Sequence, residues 1–370
     1  MMNVKKITIH TIELQLKNPF VTALGKVENR PFLISEVEFE CGIIGWGECS
    51  AFRLPWYTEE TTETCRYALS TFLIPAMLNQ RNFQHPDELS KLTSQFRGHH
   101  MAKSCLETAL WDGYAKSQNK PLYEVLGGTR DQIEVGIAIG LQTDKPTLLK
   151  KVEGAVEQGY KRIKIKIQPG TDIDVIESIR ETYPDIPLMV DANSGYTLND
   201  TDRLKRFDPF NLMMIEQPLR YLDFVDHAKL QQQMSTPICL DESICSLDDV
   251  RTAIELGSAQ VITIKMSRVG GLSEAKRIHD LCLKNGLRVW AGGMLETGIG
   301  RAHNIALATL DGFTIPGDIS ASANYWREDI IEPEIIVDRG SIHCSEQAGI
   351  GYDISRQILE QHRTELQIYT

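Results

Sequence analysis

A chain of 370 residues is long enough for one large domain with a substantial core, or for a barrel with a smaller companion. Its apolar fraction of 42% and charged fraction of 24% are ordinary for a globular protein. A net charge of −11 excludes a broad nucleic-acid surface, which needs clustered Lys and Arg, although a local basic pocket for an anionic substrate stays compatible with it.

In chain order, residues 3–17 alternate through Val4, Ile7, Ile9, Ile12, Leu14 and Leu16, the pattern of a half-buried strand. Residues 18–25, with Asn18-Pro19 at their head, break the pattern and read as a loop. Residues 32–39 form a second strand, and Cys41-Gly42 a turn into a third at 43–48, which makes an antiparallel meander. Helical spacing follows at 59–77, 86–96 and 101–117, the last with Ala102, Cys105, Leu106, Ala109 and Leu110 on one face. Strands followed by helices over about 125 residues indicate a separate α+β unit.

From residue 133 the rhythm changes to strand, helix, strand. Strands are expected at 135–141, 162–167, 188–193, 213–218, 238–243, 261–267 and 289–294, with a short final one at 313–319. Helices between them end in Gly159, Gly257 and Gly286 as C-terminal caps. Seven or eight such units, with strands apolar on both sides, predict a modified (β/α)7β barrel of the TIM type. A doubly wound open sheet is the alternative, but no glycine-rich phosphate loop follows the first strand. The expected division is an N-terminal α+β capping domain at 1–127, the catalytic barrel at 128–321, and a C-terminal segment at 322–370 returning to the cap, with a strand patch at 334–338. The eight cysteines show no CxxC or His-linked metal spacing, and those in apolar segments, such as Cys239, read as buried free thiols. No signal peptide is visible, and no apolar run approaches the roughly 20 residues of a membrane helix. The expectation is a cytoplasmic protein without membrane or nucleic-acid partners.

The ionisable residues repeat with the barrel units. Asp191 lies 25 residues after Lys166, Glu216 and Asp241 follow at further intervals of 25, and Lys265 comes 24 later. C-terminal strand ends share one mouth in such a barrel, so Asp191, Glu216 and Asp241 converge there. A lone Asp in a βα loop fits a helix N-cap. Three at one register beside lysines fit a hard divalent cation with oxygen ligands, Mg²⁺ best and Mn²⁺ as a substitute, because unscreened carboxylates repel one another. Lys164 and Lys166, two apart on one strand, face the same side, while Ile163, Ile165 and Ile167 face the helices. Lys265 ends the sixth strand, beyond the three carboxylate-bearing strands. That arrangement suits abstraction of a proton from carbon beside a carboxylate: a metal stabilises the enediolate, and a lysine with a lowered pKa takes the proton.

The pattern Lys164-x-Lys166, Asp191-Ala192-Asn193, Glu216-Gln217-Pro218, Asp241-Glu242-Ser243, Lys265 and the run from Gly292 to Ala302 resembles the enolase superfamily in its muconate-lactonising subgroup. Within it the chain looks most like o-succinylbenzoate synthases of the type related to N-succinylamino acid racemases. The resemblance runs from Pro19-Phe20 to Pro316-Gly317-Asp318-Ile319-Ser320. It implies Lys166 as the base that removes the α-proton and then protonates the departing hydroxyl in a syn dehydration. It implies Lys265 as the group that stabilises the enediolate, or as second acid/base in a racemisation. Asp191, Glu216 and Asp241 would bind Mg²⁺, and Lys164 and Asn193 would hold the substrate carboxylate. Gly293 and Met294 would line the far wall, Phe20 and Thr22 would cap the site, and Arg268 would belong to the substrate-binding set unless it pairs with a loop carboxylate. His99 and His100 read as surface or cap packing.

The activity so implied is dehydration of 2-succinyl-6-hydroxy-2,4-cyclohexadiene-1-carboxylate to 2-succinylbenzoate in menaquinone synthesis, by a homo-oligomer acting on a small carboxylate. Racemisation of N-succinylamino acids is the alternative. A dipeptide epimerase would carry an Asp-x-Asp pair near the seventh and eighth strands, which residues 316–319 do not supply, and a non-catalytic barrel would have no need of buried ammonium groups.

Overall fold

The computed structural model describes residues 2–22 and 25–370, with residues 20–22 and 25 described by their backbone alone. The meander is present as β1 (Met2–Thr22), β2 (Gly25–Phe39) and β3 (Ile44–Cys49), paired in that order, with Arg363–Tyr369 from the chain's far end on the free side of β1. Of the loop expected at 18–25, the described residues 18–22 and 25 instead continue the hairpin. Phe20 pairs with Val27 and Thr22 with Gly25, after a register irregularity between Gln15 and Phe20. The Asn18-Pro19 break is absorbed as an irregularity in the ladder rather than ending it. The Phe20 and Thr22 side chains, expected to cap the site, lie outside the described residues.

The helix His100–Ser117 lies across β3, and glycine makes this possible. A Cβ on Gly45 would strike the carbonyl of Ala109, and one on Gly47 the carbonyl of Cys105. The helix expected over 59–77 starts at Thr62 behind a Thr61 capping box and carries a π turn at Leu69–Leu73 before continuing to Gln80.

Among the described residues the barrel has seven parallel strands: Gly136–Ile139, Arg162–Lys166, Leu188–Asp191, Ile215–Glu216, Ile238–Leu240, Val261–Ile264 and Arg288–Ala291, hydrogen-bonded in chain order. The final strand expected at 313–319 is absent. Residues 316–318 close the ring through isolated contacts instead: Gly136 N donates to Gly317 O (2.8 Å) and Asp318 N to Ala291 O (3.0 Å). Pro316 has no N–H to give a ladder, so the eighth place is filled irregularly. The strand patch expected at 334–338 is likewise not a strand; pairing falls at Ile331–Glu332 and Ser341–His343 on either side.

One large apolar cluster runs through cap and barrel helices alike, and a smaller one of Met189, Met214, Cys239, Val261, Trp290 and Ile315 fills the barrel interior. The cysteines are free, and Cys239 is buried there. No helix among the described residues is long and apolar enough to cross a membrane.

Candidate active site

Strand register sets the site's level. Lys166 pairs with Asp191, and Asp191 with Glu216, as Cα partners on adjacent strands, while Cys239 pairs with Glu216 so that Asp241 stands two residues further up. Alternation on Arg162–Lys166 turns Ile163 and Ile165 under the helices and leaves positions 162, 164 and 166 for the interior.

Each ammonium group has carboxylate company. Lys166 Nζ donates to Asp191 Oδ2 (2.6 Å) and Asn193 Oδ1 (2.7 Å). Lys164 Nζ lies 3.1 Å from Glu216 Oε2 and 3.3 Å from Asp191 Oδ2, and pairs most closely with Asp318. Lys265 Nζ donates to Asp241 Oδ2 (2.8 Å) and to the Tyr57 hydroxyl (2.7 Å), which arrives from the loop after β3. Asn193 passes its amide on to Glu242 Oε1 (2.8 Å). Lys164, Lys166, Lys265, Asn193, Gly293 and Met294 all line one cavity, roofed by Phe52, Trp56 and Tyr57 from the cap.

Arg268, expected among the substrate-binding residues unless it pairs with a loop carboxylate, pairs with Asp241 just past its strand end and does not line the cavity. It is fully buried behind Asp241, pairing with that carboxylate, with the Tyr57 hydroxyl (2.7 Å) and with the carbonyls of Ile244 (2.7 Å) and Thr263 (3.0 Å). His99 and His100 stay outside the cavity, His99 edge-on against Phe72.

Charge decides how these carboxylates titrate. Burial opposes ionisation of Asp241, but Arg268, Lys265 and Lys164 outweigh it and hold the group far below the usual carboxylate range. Asp191 is lowered likewise by Lys166 and Lys164 against its burial. Glu216 goes the other way: burial and the neighbouring Asp191 charge push it well up in spite of Lys164. Glu242 is pushed up to about 7 by burial and by Asp241 and Asp191. Glu216 Oε1 and Glu242 Oε2 are buried without a hydrogen-bond partner among the described residues. Nor, among those residues, are three His, Cys, Asp or Glu side chains already gathered around one point. The three candidate ligands are turned onto cations instead. Glu216, only partly compensated by Lys164 and carrying an orphaned oxygen, marks a site still short of positive charge, and the hard-oxygen donor set fits a divalent cation.

Four participants escape the sequence reading. Arg162 shares the strand parity of Lys164 and is findable from it. Asp318 reads in the sequence only as half of an absent acidic pair. Tyr57 and Glu242 carry no local signal, one arriving from the cap and the other lying one residue beyond a strand-end Asp.

A capped parallel barrel with three lysines and three buried carboxylates at one mouth defines a class of enzyme equipped for proton transfer beside a substrate carboxylate. The chain belongs to the mandelate racemase/muconate lactonizing enzyme family of the enolase superfamily, whose N-terminal domain matches residues 5–127, with an enolase C-terminal domain-like match over residues 147–358. Enzymes of this superfamily use a divalent metal. The chain is 50% identical to an o-succinylbenzoate synthase of Bacillus subtilis (strain 168), over 100% of this chain and 99% of that protein. It is 44% identical to an N-succinylamino acid racemase of Thermus thermophilus, covering 97% of each. A crystal structure of an enolase superfamily member from Listeria innocua Clip11262 superposes with a TM-score of 0.97 at 43% identity, over 100% of this chain and 99% of that one.

Proposed function

We propose that this protein is an o-succinylbenzoate synthase, a carbon–oxygen lyase that removes water from 2-succinyl-6-hydroxy-2,4-cyclohexadiene-1-carboxylate to form 2-succinylbenzoate. The observation that carries the reading is that Lys164, Lys166 and Lys265 enter one cavity against the Asp191, Glu216 and Asp241 carboxylates, in a chain half identical to a synthase over its full length.

Lys164 and Asn193 hold the substrate carboxylate. Lys166 takes the proton from the adjacent carbon, leaving an enediolate of the substrate, and returns it to the departing hydroxyl on the same face. Lys265, just past the end of the sixth strand, sets its ammonium against the negative charge that develops. Asp191, Glu216 and Asp241 would hold Mg²⁺. The cation, when bound, supplies positive charge against the carboxylate oxygens as the enediolate forms. Gly293 and Met294 form the wall for the succinyl arm, and the cap at 1–127 closes over the barrel at 128–321, with 322–370 returning to the cap. Purified protein with Mg²⁺ is expected to turn over the cyclohexadiene carboxylate; metal binding without turnover would sink the substrate assignment.

A second activity, racemisation of N-succinylamino acids, is favoured by one feature: a lysine on each side of the carboxylate cluster, so that one removes the α-proton and the other delivers it. Solvent deuterium entering Cα of N-succinylamino acids, followed by NMR, reports it. Dipeptide epimerisation is disfavoured, because Asp318, the acidic group nearest the place where an ammonium substrate would need one, is consumed by Arg162 and Lys164.

A further inference from the structure

Three cations stand on one strand face: Arg162, Lys164 and Lys166. The middle one has three carboxylates within reach. Two of these, Asp191 and Glu216, are the groups assigned above to a divalent cation; the third, Asp318, is not. Asp318 enters through the irregular closure after Pro316-Gly317, and its two oxygens take different partners. Oδ1 receives Arg162 Nη2 at 2.5 Å, and Oδ2 receives Lys164.

The grip on Asp318 is built in. Arg162 is 0% exposed, donates Nε to Pro316 O (2.9 Å), and lies 4.8 Å over the Trp290 ring. Gly136 makes room for it: a Cβ there would come within 2.5 Å of the guanidinium carbon. Lys164 sits 5.0 Å over the same ring.

A carboxylate that binds a cation gives up its ammonium partner. Lys164 is 3% exposed, so without Asp318 its carboxylate partners would be the two ligands themselves. It would then either remain on them, competing with the cation, or be left buried and unpaired, which is costly. We infer that Asp318, clamped by Arg162, is a positioning residue that draws Lys164 off Asp191 and Glu216 and thereby sets the affinity of the carboxylate site for a divalent cation. This rests on the assignment of Asp191, Glu216 and Asp241 as metal ligands.

The test is Mn²⁺ binding, by titration calorimetry and by loss of the free-ion electron paramagnetic resonance signal. Asp318→Asn keeps size and hydrogen-bonding capacity while removing the charge; it is expected to weaken Mn²⁺ binding about tenfold or more. Adding Lys164→Met removes the competitor, so Asp318→Asn/Lys164→Met is expected to bind within about threefold of Lys164→Met alone. An Asp318→Asn affinity within about twofold of the unmodified chain overturns the inference. So does a double variant as weak as Asp318→Asn, which would point to plain structural damage. If Asp318→Asn does not fold, a crystal structure of the unmodified chain with Mn²⁺ decides: Lys164 is expected on Asp318 and off the ligand oxygens, and a Lys164 that has left Asp318 overturns the inference. An unmodified chain that binds no Mn²⁺ removes the ligand assignment, and this inference with it.

Discussion

Lys166 and Lys265 share a cavity but keep different company. Lys166 rests on Asp191 and the side-chain oxygen of Asn193, whereas Lys265 rests on Asp241 and a phenol from the cap. A group that moves a proton in both half-steps of a dehydration is worth more than one that only offsets charge. Lys166→Ala is therefore expected to lower the dehydration rate by about 10²–10⁴-fold with the metal bound, in the range of general acid–base contributions. Turnover retained by Lys166→Ala with the metal bound would remove Lys166 from the reaction.

At the scale of elements, the contact between β3 and the helix His100–Ser117 depends on two residues having no side chain. Gly45 and Gly47 bring strand backbone against the helix carbonyls of Ala109 and Cys105, leaving no space for a methyl group. Gly47→Ala is expected to cost about 1–3 kcal/mol in urea unfolding, the usual range for overpacking a close contact. An unchanged midpoint would mean that the strand moves aside freely. The same strand also carries Glu48 into the N-terminus of the helix Gly298–Ala308. There it accepts from the Thr297 hydroxyl (2.6 Å) and Gly300 N (3.0 Å). Burial, followed by the nearby Glu296 charge, outweighs these donors and raises the carboxyl from 4.5 to about 7. The folded state therefore holds this proton more tightly than the unfolded chain. The stability that Glu48 contributes is full below pH 4.5 and is lost as pH rises through about 7. Unfolding midpoints measured across that window are expected to fall more steeply for the unmodified chain than for Glu48→Gln, and equal slopes would refute the assignment to Glu48.

For the whole molecule, what is legible in the sequence follows the repeat. A parallel barrel adds one strand and one helix per unit, so Lys166, Asp191, Glu216, Asp241 and Lys265 recur at nearly constant intervals and reach one mouth. The parts that do not repeat are hidden. Asp318 sits on a closure with no ladder to give it a period, and Tyr57 joins Lys265 across 208 residues of chain. The hairpin through Phe20 crosses a proline that reads locally as a break. These non-repeating parts also tie the cap to the barrel. Arg30 of β2 donates to Met294 O in the cavity wall (2.9 Å), and Glu107 of the helix His100–Ser117 accepts from Leu272 N (2.8 Å) and Ser273 N (2.9 Å). A single apolar cluster runs through both units. Cap and barrel are therefore expected to unfold together, and a cation held at the barrel mouth should stabilise both. Binding to the folded state alone adds about 2.7 kcal/mol at 100 times Kd. Calorimetry of the unmodified chain is expected to show one transition that moves up as a whole with saturating Mg²⁺ and returns on chelation with EDTA. Two transitions, of which Mg²⁺ moves one, would mean that the buried contacts between cap and barrel do not couple them, and that the cavity roof carrying Tyr57 opens independently of the floor carrying the lysines.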